Sequence, residues 1–175
     1  MSALLLLALL AQTTPTAPPR PAAAGTVAEA RLEGETFAVD LYADLDALLL
    51  GLSPAAPPAQ RLTAMEMLRA GGKDAQTAMT ERLTEYLRRR VRIRFDGVAG
   101  DLTVEYPERR TTGAGDLATL GSFARLRARV PEAAREVTFF ASRSFRFVDL
   151  RVAIGDRRSR QMVEPGAESA PIALR

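Results

Sequence analysis

Apolar and polar residues alternate along two neighbouring segments near the start of the chain, residues 26–32 and 37–41. A period of two puts the apolar side chains on one face of a strand, so both segments are predicted to be β-strands. Glu33-Gly34-Glu35 lies between them and is typical of a tight turn. The two segments therefore predict a β-hairpin.

The pattern changes to a helical one over residues 44 to about 90. Asp44 is predicted to cap a short helical turn that Gly51 ends. A proline suits the first turn of a helix and a glycine its end, which predicts a helix over Pro58–Ala70. Asp74 is predicted to cap a longer helix. The apolar face of that helix is typical of core packing and consists of Ala75, Met79, Leu83, Tyr86 and Leu87.

After residue 90 the period returns to two. Residues 91–95 and 102–106 flank the turn residues Asp96-Gly97 and predict a second hairpin, with a loop longer than the tightest kind. Residues 108–121 are polar and contain glycine, which predicts a loop. The remaining predicted strands cover residues 123–130, 137–141 and 145–154, with weaker ones over 161–164 and 170–174.

The pattern as a whole predicts about seven to nine short strands, with helices confined to one insert at about 44–90. Strands and helices do not alternate in the order that builds a parallel sheet. We therefore predict a mainly β fold, an antiparallel β-sandwich that is immunoglobulin-like in general architecture, with a helical insert. The length of 175 residues and an apolar content of 47% suit one such domain over residues 25–175.

The first 24 residues have the composition of an export signal followed by a linker. Leu4 to Leu10 is a continuous apolar run with the length of a signal-peptide core, and a membrane span needs about 20 residues. The proline-rich residues 15–21 would end any helix and are typical of a semi-rigid spacer. We expect cleavage after Ala11 or Ala24 and an extracytoplasmic product, periplasmic or secreted.

The chain contains neither cysteine nor histidine. This excludes disulfides, thiolate metal sites and a Ser-His-Asp triad. No Ser-x-x-Lys motif and no phosphate-binding glycine loop is present, and the acidic pair Asp44/Asp46 is explained by helix capping. We therefore expect a non-catalytic domain with no cofactor and no metal site. An enzyme with a carboxylate site is the less favoured alternative.

Five arginines alternate with apolar residues on two of the predicted strands. All five are expected to point away from the core, and if the strands lie close together they form a cationic patch for an anionic partner. The alternative is a solvated sheet face paired with acids such as Glu105, Asp101 and Asp149. No aromatic residues are interleaved, so a specific nucleic-acid partner is not expected. The candidate patch consists of Arg92, Arg94, Arg125, Arg127 and Arg129.

From Glu85 onward the chain resembles the extracytoplasmic N-terminal region of HupE/UreJ-type membrane proteins, the hydrogenase and urease accessory family. The resemblance implies an exported β-sandwich associated with a membrane metal permease. It carries over no functional residue, because the chain has no histidine. The segments that carry it are Tyr86-Leu87, Val91 to Gly97, Val130-Pro131, Phe139 to Phe147 and Glu164 to Pro171.

The favoured function is accordingly an exported binding or interaction module that acts on an envelope protein or an anionic ligand. The alternative, which comes from the resemblance, is an accessory domain acting in trans with a membrane metal permease of the HupE/UreJ type.

Export makes a direct prediction about the N-terminus of the mature protein. Edman sequencing of the periplasmic or secreted protein should begin at Gln12 or at Gly25, the residues that follow the two predicted cleavage points. A cytoplasmic product that still carries Met1 to Leu10 would contradict export.

Overall fold

The computed structural model describes residues 25–52, 56–107 and 123–175. The predicted signal peptide and linker, residues 1–24, and the predicted loop over 108–121 lie outside the described residues. Within the described part, the chain forms ten strands and three α-helices, numbered below in chain order.

Six strands form the larger sheet, in the order β5-β6-β2-β1-β8-β9. Strand β1 pairs with β8 in parallel, and the other neighbours in this sheet are antiparallel. The strands are β1 (Thr26–Glu33), β2 (Thr36–Tyr42), β5 (Thr103–Glu105), β6 (Phe123–Arg129), β8 (Val148–Ile154) and β9 (Arg157–Val163).

Four strands form the smaller sheet, in the order β10-β7-β3-β4, and all of its pairs are antiparallel. The strands are β3 (Val91–Phe95), β4 (Val98–Ala99), β7 (Glu136–Ala141) and β10 (Ile172–Ala173).

The two sheets pack against each other around one hydrophobic core. Phe37 from the larger sheet and Phe95 from the smaller one meet edge to face, with ring centroids 6.4 Å apart. The inward residues of both sheets, such as Leu126 and Phe139, are fully buried in the same cluster. The predicted mainly β sandwich is therefore confirmed.

The helices form a single insert between β2 and β3, as predicted. They are α1 (Leu45–Leu49), α2 (Pro58–Ala70) and α3 (Gly72–Arg90). Asp44 caps α1, because its Oδ1 accepts a hydrogen bond of 2.9 Å from the backbone N–H of Ala47. The predicted cap at Asp74 is wrong: α3 begins at Gly72, and Asp74 lies inside its first turn, where a carboxylate still suits the helix dipole. Leu83 and Leu87 carry the buried face of α3.

The predicted hairpin between residues 91–95 and 102–106 is wrong. Asp96 and Gly97 both have positive φ, 48° and 82°, the geometry of the tightest hairpin turns. They return the chain into β4, which pairs with β3. Gly100 then lets the chain cross to the other sheet, where β5 pairs with β6. The sequence pattern identified the strands, but pairing partners depend on the turn.

The other differences concern β8, β9 and β10. Phe145 lies in a 3-10 turn, Arg143–Phe145, so β8 begins at Val148 rather than at residue 145. Strand β9 begins earlier than the predicted 161–164, at Arg157, and β10 is limited to two residues. None of the helices in the described ranges is both long and apolar enough to cross a membrane.

A substitution at Gly100 tests how closely the chain is packed where it crosses from the smaller sheet to the larger one. A Cβ built on Gly100 would lie 2.9 Å from Cε2 of Phe95, which is buried, and 3.4 Å from Cβ of Ala128. Gly100→Ala should therefore lower the free energy of unfolding by about 1–3 kcal/mol, as overpacking does. Gly25→Ala is the matched control, because no heavy atom of the described residues, other than its chain neighbours, lies within 4 Å of a Cβ built on it. Urea denaturation measures both, and equal stability of the two variants would contradict the close crossing.

Candidate functional site

The five arginines predicted from the sequence lie on two different sheets. Arg92 and Arg94 are on β3 in the smaller sheet, whereas Arg125, Arg127 and Arg129 are on β6 in the larger sheet. Their neighbours along each strand are buried in the shared core, so the arginines point outward from two separate faces, as the alternation predicted. The five therefore do not form one continuous patch.

Arg125 is held by a carboxylate in the middle of the larger sheet. Its Nε and NH2 donate to the two oxygens of Asp40 at 2.7 and 3.0 Å, and Arg31 NH1 donates to the same carboxylate at 2.6 Å. Asp40 is only 6% exposed. Burial by itself would raise the pKa of Asp40, but the hydrogen bonds from Arg125 and Arg31 outweigh it and hold the pKa below its ordinary value.

The other two arginines of β6 also face acids. Arg127 NH2 lies 3.5 Å from Glu33, and its buried Nε lies 3.8 Å from Glu105, too far for a hydrogen bond. Arg129 pairs with Glu35 at 3.3 Å, and both side chains are exposed. These contacts favour the interpretation of the β6 arginines as an ion-paired sheet face, with Glu105 among the partners as the sequence suggested.

The two arginines of β3 have unlike surroundings. The Arg92 guanidinium lies over the ring of Phe140, 5.0 Å from its centroid. Arg94 pairs with Glu168 at 3.1 Å, and Glu168 also accepts a hydrogen bond from Thr138. Arg92 borders a groove of about 840 Å³ beside the end of α3, together with Arg88 and Arg89.

Two cross-strand rows on the outer face of β1, β8 and β9 enclose a hollow. In one row an alanine, Ala153, lies between Arg31 on β1 and Arg158 on β9. In the next row the three paired residues, Glu29, Arg151 and Arg160, are all charged. The hollow has a volume of about 520 Å³. We name it the Ala153 hollow, and its charged rim consists of Arg31, Arg151, Arg158, Arg160 and Glu29.

Asp149, at the end of β8 nearest the helices, fixes two of these arginines. Arg160 donates to both of its oxygens, at 2.6 and 3.1 Å, and Arg151 NH2 donates to it at 2.9 Å. The hydrogen bond from Arg160 is the main reason that the pKa of Asp149 lies below its ordinary value. The hydrogen bond from Arg151 also lowers this pKa, whereas burial raises it. The carboxylate is therefore ionised at neutral pH and orients both guanidinium groups.

The other two rim arginines are oriented differently. Arg158 NH1 donates to the backbone carbonyl oxygens of Gly155 and Arg157 at 2.6 and 3.0 Å. Arg31 bridges Glu33 and Asp40. Because a guanidinium has five N–H donors in a fixed fork, each of these side chains keeps donors for a further acceptor. Four arginines against one glutamate at the rim suit an anionic group lying in the hollow.

Sequence reasoning missed this site, although one signal was present. The run Arg157-Arg158-Ser159-Arg160 gives β9 an arginine-rich character, but it lacks the apolar alternation that predicts a strand. The β1 and β8 sides of the hollow are also far apart in the sequence: Glu29 on β1 and Arg151 on β8, which pair at 3.3 Å, are 122 positions apart.

The serine and acidic side chains that could take part in chemistry lie as follows. Ser142 Oγ and Ser144 Oγ lie 2.7 Å apart and hydrogen-bond to each other. Within the described residues there is no group of three or more acidic side chains arranged to hold a metal ion.

No family model matches the chain, and no curated protein matches it. The resemblance to the HupE/UreJ type therefore stays a prediction.

The buried carboxylate of Asp40 predicts how stability depends on pH. A carboxylate whose pKa is lower in the folded protein than in the unfolded chain stabilises the fold above the unfolded value, and this stabilisation is lost as the pH falls through the folded value. Asp40→Asn should lower the free energy of unfolding at pH 7 by about 2–3 kcal/mol, because two guanidinium groups lose their anion. Below the ordinary aspartate pKa of 3.8 the difference from wild type should shrink.

The matched control for this experiment is Glu35→Gln, which breaks the exposed pair with Arg129 and should cost no more than about 1 kcal/mol. Thermal denaturation from pH 7 to pH 2.5 measures all three proteins. An Asp40→Asn variant with the stability and pH profile of Glu35→Gln would contradict the role given to Asp40.

Proposed function

We propose that the protein is an exported, non-catalytic binding domain of the cell envelope that holds an anionic group of its partner in the Ala153 hollow. The observation that carries this proposal is the rim itself, where four arginines surround a floor made by an alanine. Export rests on the apolar run and the small residues at the N-terminus.

The rim is preorganised, which favours binding. An arginine that is free in solvent loses conformational entropy when it binds an anion, and an arginine already held by a carboxylate loses less. Arg151 and Arg160 share Asp149, while Arg31 is fixed by Asp40 and Glu33. These internal anions orient the guanidinium groups, and Arg158, which donates to backbone carbonyl oxygens instead of a carboxylate, keeps its positive charge for a partner.

The geometry also indicates the kind of group that binds. Bidentate guanidinium donors match the planar carboxylate and the tetrahedral sulfate or phosphate. The hollow lies on an open sheet face, so a bound anion keeps contact with solvent and with the rest of a larger molecule. This favours an acidic side chain of an envelope protein or an anionic polymer over a small ligand enclosed in a cavity.

The permease-associated role remains the alternative and rests on the family resemblance alone. Recovery of a multi-helix membrane protein by the tagged domain from detergent-solubilised envelope would favour it, provided that Ala153→Glu does not reduce the recovery.

Retention on heparin, a polyanion, tests the Ala153 hollow. Arg158→Gln/Arg160→Gln should elute at clearly lower salt than wild type, because two rim charges are removed. Ala153→Glu should do the same without removing any arginine, since it places a carboxylate inside the rim.

Arg129→Gln/Arg135→Gln is the matched control, because it removes the same charge from exposed side chains outside the hollow. Circular dichroism establishes that each variant is folded. If the control and the hollow variants elute together, retention follows overall charge and the hollow is not the site.

A further inference from the structure

We infer that the turn between β7 and β8 docks the domain on an anionic membrane surface through Arg143, Arg146 and Phe147, here named the Phe147 tip. This inference rests on the proposed export, because only an exported domain meets the outer surface of a membrane. It involves residues outside the Ala153 hollow and can fail independently of it.

The tip presents an aromatic ring and two cations to solvent. Phe147 is 53% exposed, although it directly precedes the core strand β8. Arg143 and Arg146 are also exposed. Within the described part of the chain neither guanidinium forms an ion pair, in contrast to the paired arginines of the sheet face.

Packing and hydrogen bonds fix the position of the backbone around the tip. Phe145 is buried and contacts the ring of Tyr86 at a centroid distance of 6.4 Å. The backbone oxygens of Phe145 and Phe147 accept hydrogen bonds from the side chain and the N–H of Thr26, at 3.0 and 3.4 Å. The stem of Arg143 packs against Gly166, where a Cβ would come within 2.9 Å of it.

Arg146 adopts a strained conformation that turns the tip outward. Its φ of 56° and ψ of −143° are essentially those of glycine, and a residue with a Cβ persists there only when its surroundings impose it. Phe145 is buried before it and Val148 is buried after it, so the strained residue is what leaves Phe147 outside the core. Such strain is typical of functional positions.

The location in the fold identifies the partner. Thr26, the first residue of β1, is hydrogen-bonded to the tip, so the segment that contains the apolar run Leu4 to Leu10 joins the domain at this end. While that run is still attached, it tethers this end of the domain to the membrane. An exposed aromatic ring suits the interfacial region, and arginines are attracted to anionic headgroups.

Cosedimentation with vesicles tests the inference, using the predicted mature protein from Gln12 onward in every sample, so that the apolar run Leu4 to Leu10 contributes nothing to vesicle binding. The probe is phosphatidylglycerol mixed with phosphatidylcholine, and pure phosphatidylcholine is the comparison. Arg143→Gln/Arg146→Gln should weaken the partition coefficient on the anionic vesicles about thirtyfold, at about 1 kcal/mol for each arginine near such a surface. Phe147→Ser alone should also weaken the partition coefficient, whereas Val98→Ser, at a side chain that is even more exposed, should not.

Two further variants separate binding from folding and from overall charge. Arg146→Gly removes a charge but relieves the strained backbone, so its loss of binding cannot come from unfolding. Arg129→Gln/Arg135→Gln removes two charges at the opposite end of the sheets and should bind like wild type.

The inference is overturned if tip variants partition like wild type, or if wild type binds neutral and anionic vesicles equally. It is also overturned if the tip variants keep vesicle binding but lose an acidic protein partner, since the tip would then be a protein interface. Heparin retention through the Ala153 hollow would survive any of these outcomes, so the proposed function is judged separately.

Discussion

The parallel pairing of β1 with β8 is the contact on which both the fold and its surface chemistry depend. It joins the N-terminal hairpin, β1 and β2, to the hairpin of β8 and β9 over more than a hundred residues of intervening chain. The register places Glu29 beside Arg151 and Arg31 beside Ala153. A shift of one residue would turn either Ala28 and Ala30 of β1 or Leu150 and Val152 of β8 out of the core, so core burial fixes the register. The same register aligns the rows of the hollow, which is therefore determined by the packing on the opposite side of the sheet.

The strands and the helical insert could be predicted because burial on one face leaves a local trace. Residues 26–32, 37–41 and 91–95 alternate, and the structure has strands there. Pairing partners leave no such trace. Strand β5 pairs in the larger sheet because β4, which follows the two-residue turn, already occupies the position next to β3. Gly100 then allows the chain to cross from the smaller sheet to the larger one. Strand β9 was identified only at its end, since Arg157, Ser159 and Gln161 occupy an edge where few apolar side chains are required.

The candidate patch shows the same limit for function. The alternation correctly placed all five arginines on outward faces, but it could not show that two of them belong to the other sheet. It also could not show that Arg125 holds a buried carboxylate. The contact with Asp40 implies that replacing the three β6 arginines by glutamine lowers the stability of the fold. Arg125 therefore has a structural role, because it neutralises a buried anion.

The two proposed surfaces lie at different places along the same strand. Phe147 immediately precedes β8, and Ala153 lies near its other end, which separates them by roughly 20 Å at about 3.3 Å per residue. The Debye length at physiological ionic strength is about 8 Å, so the field of an anionic membrane is weak at the hollow. A domain docked through the Phe147 tip would therefore hold the Ala153 hollow away from the lipid, where a second anion meets little repulsion from the headgroups. The two surfaces can be occupied at the same time, and this suits a module that presents a binding site from the surface of a membrane.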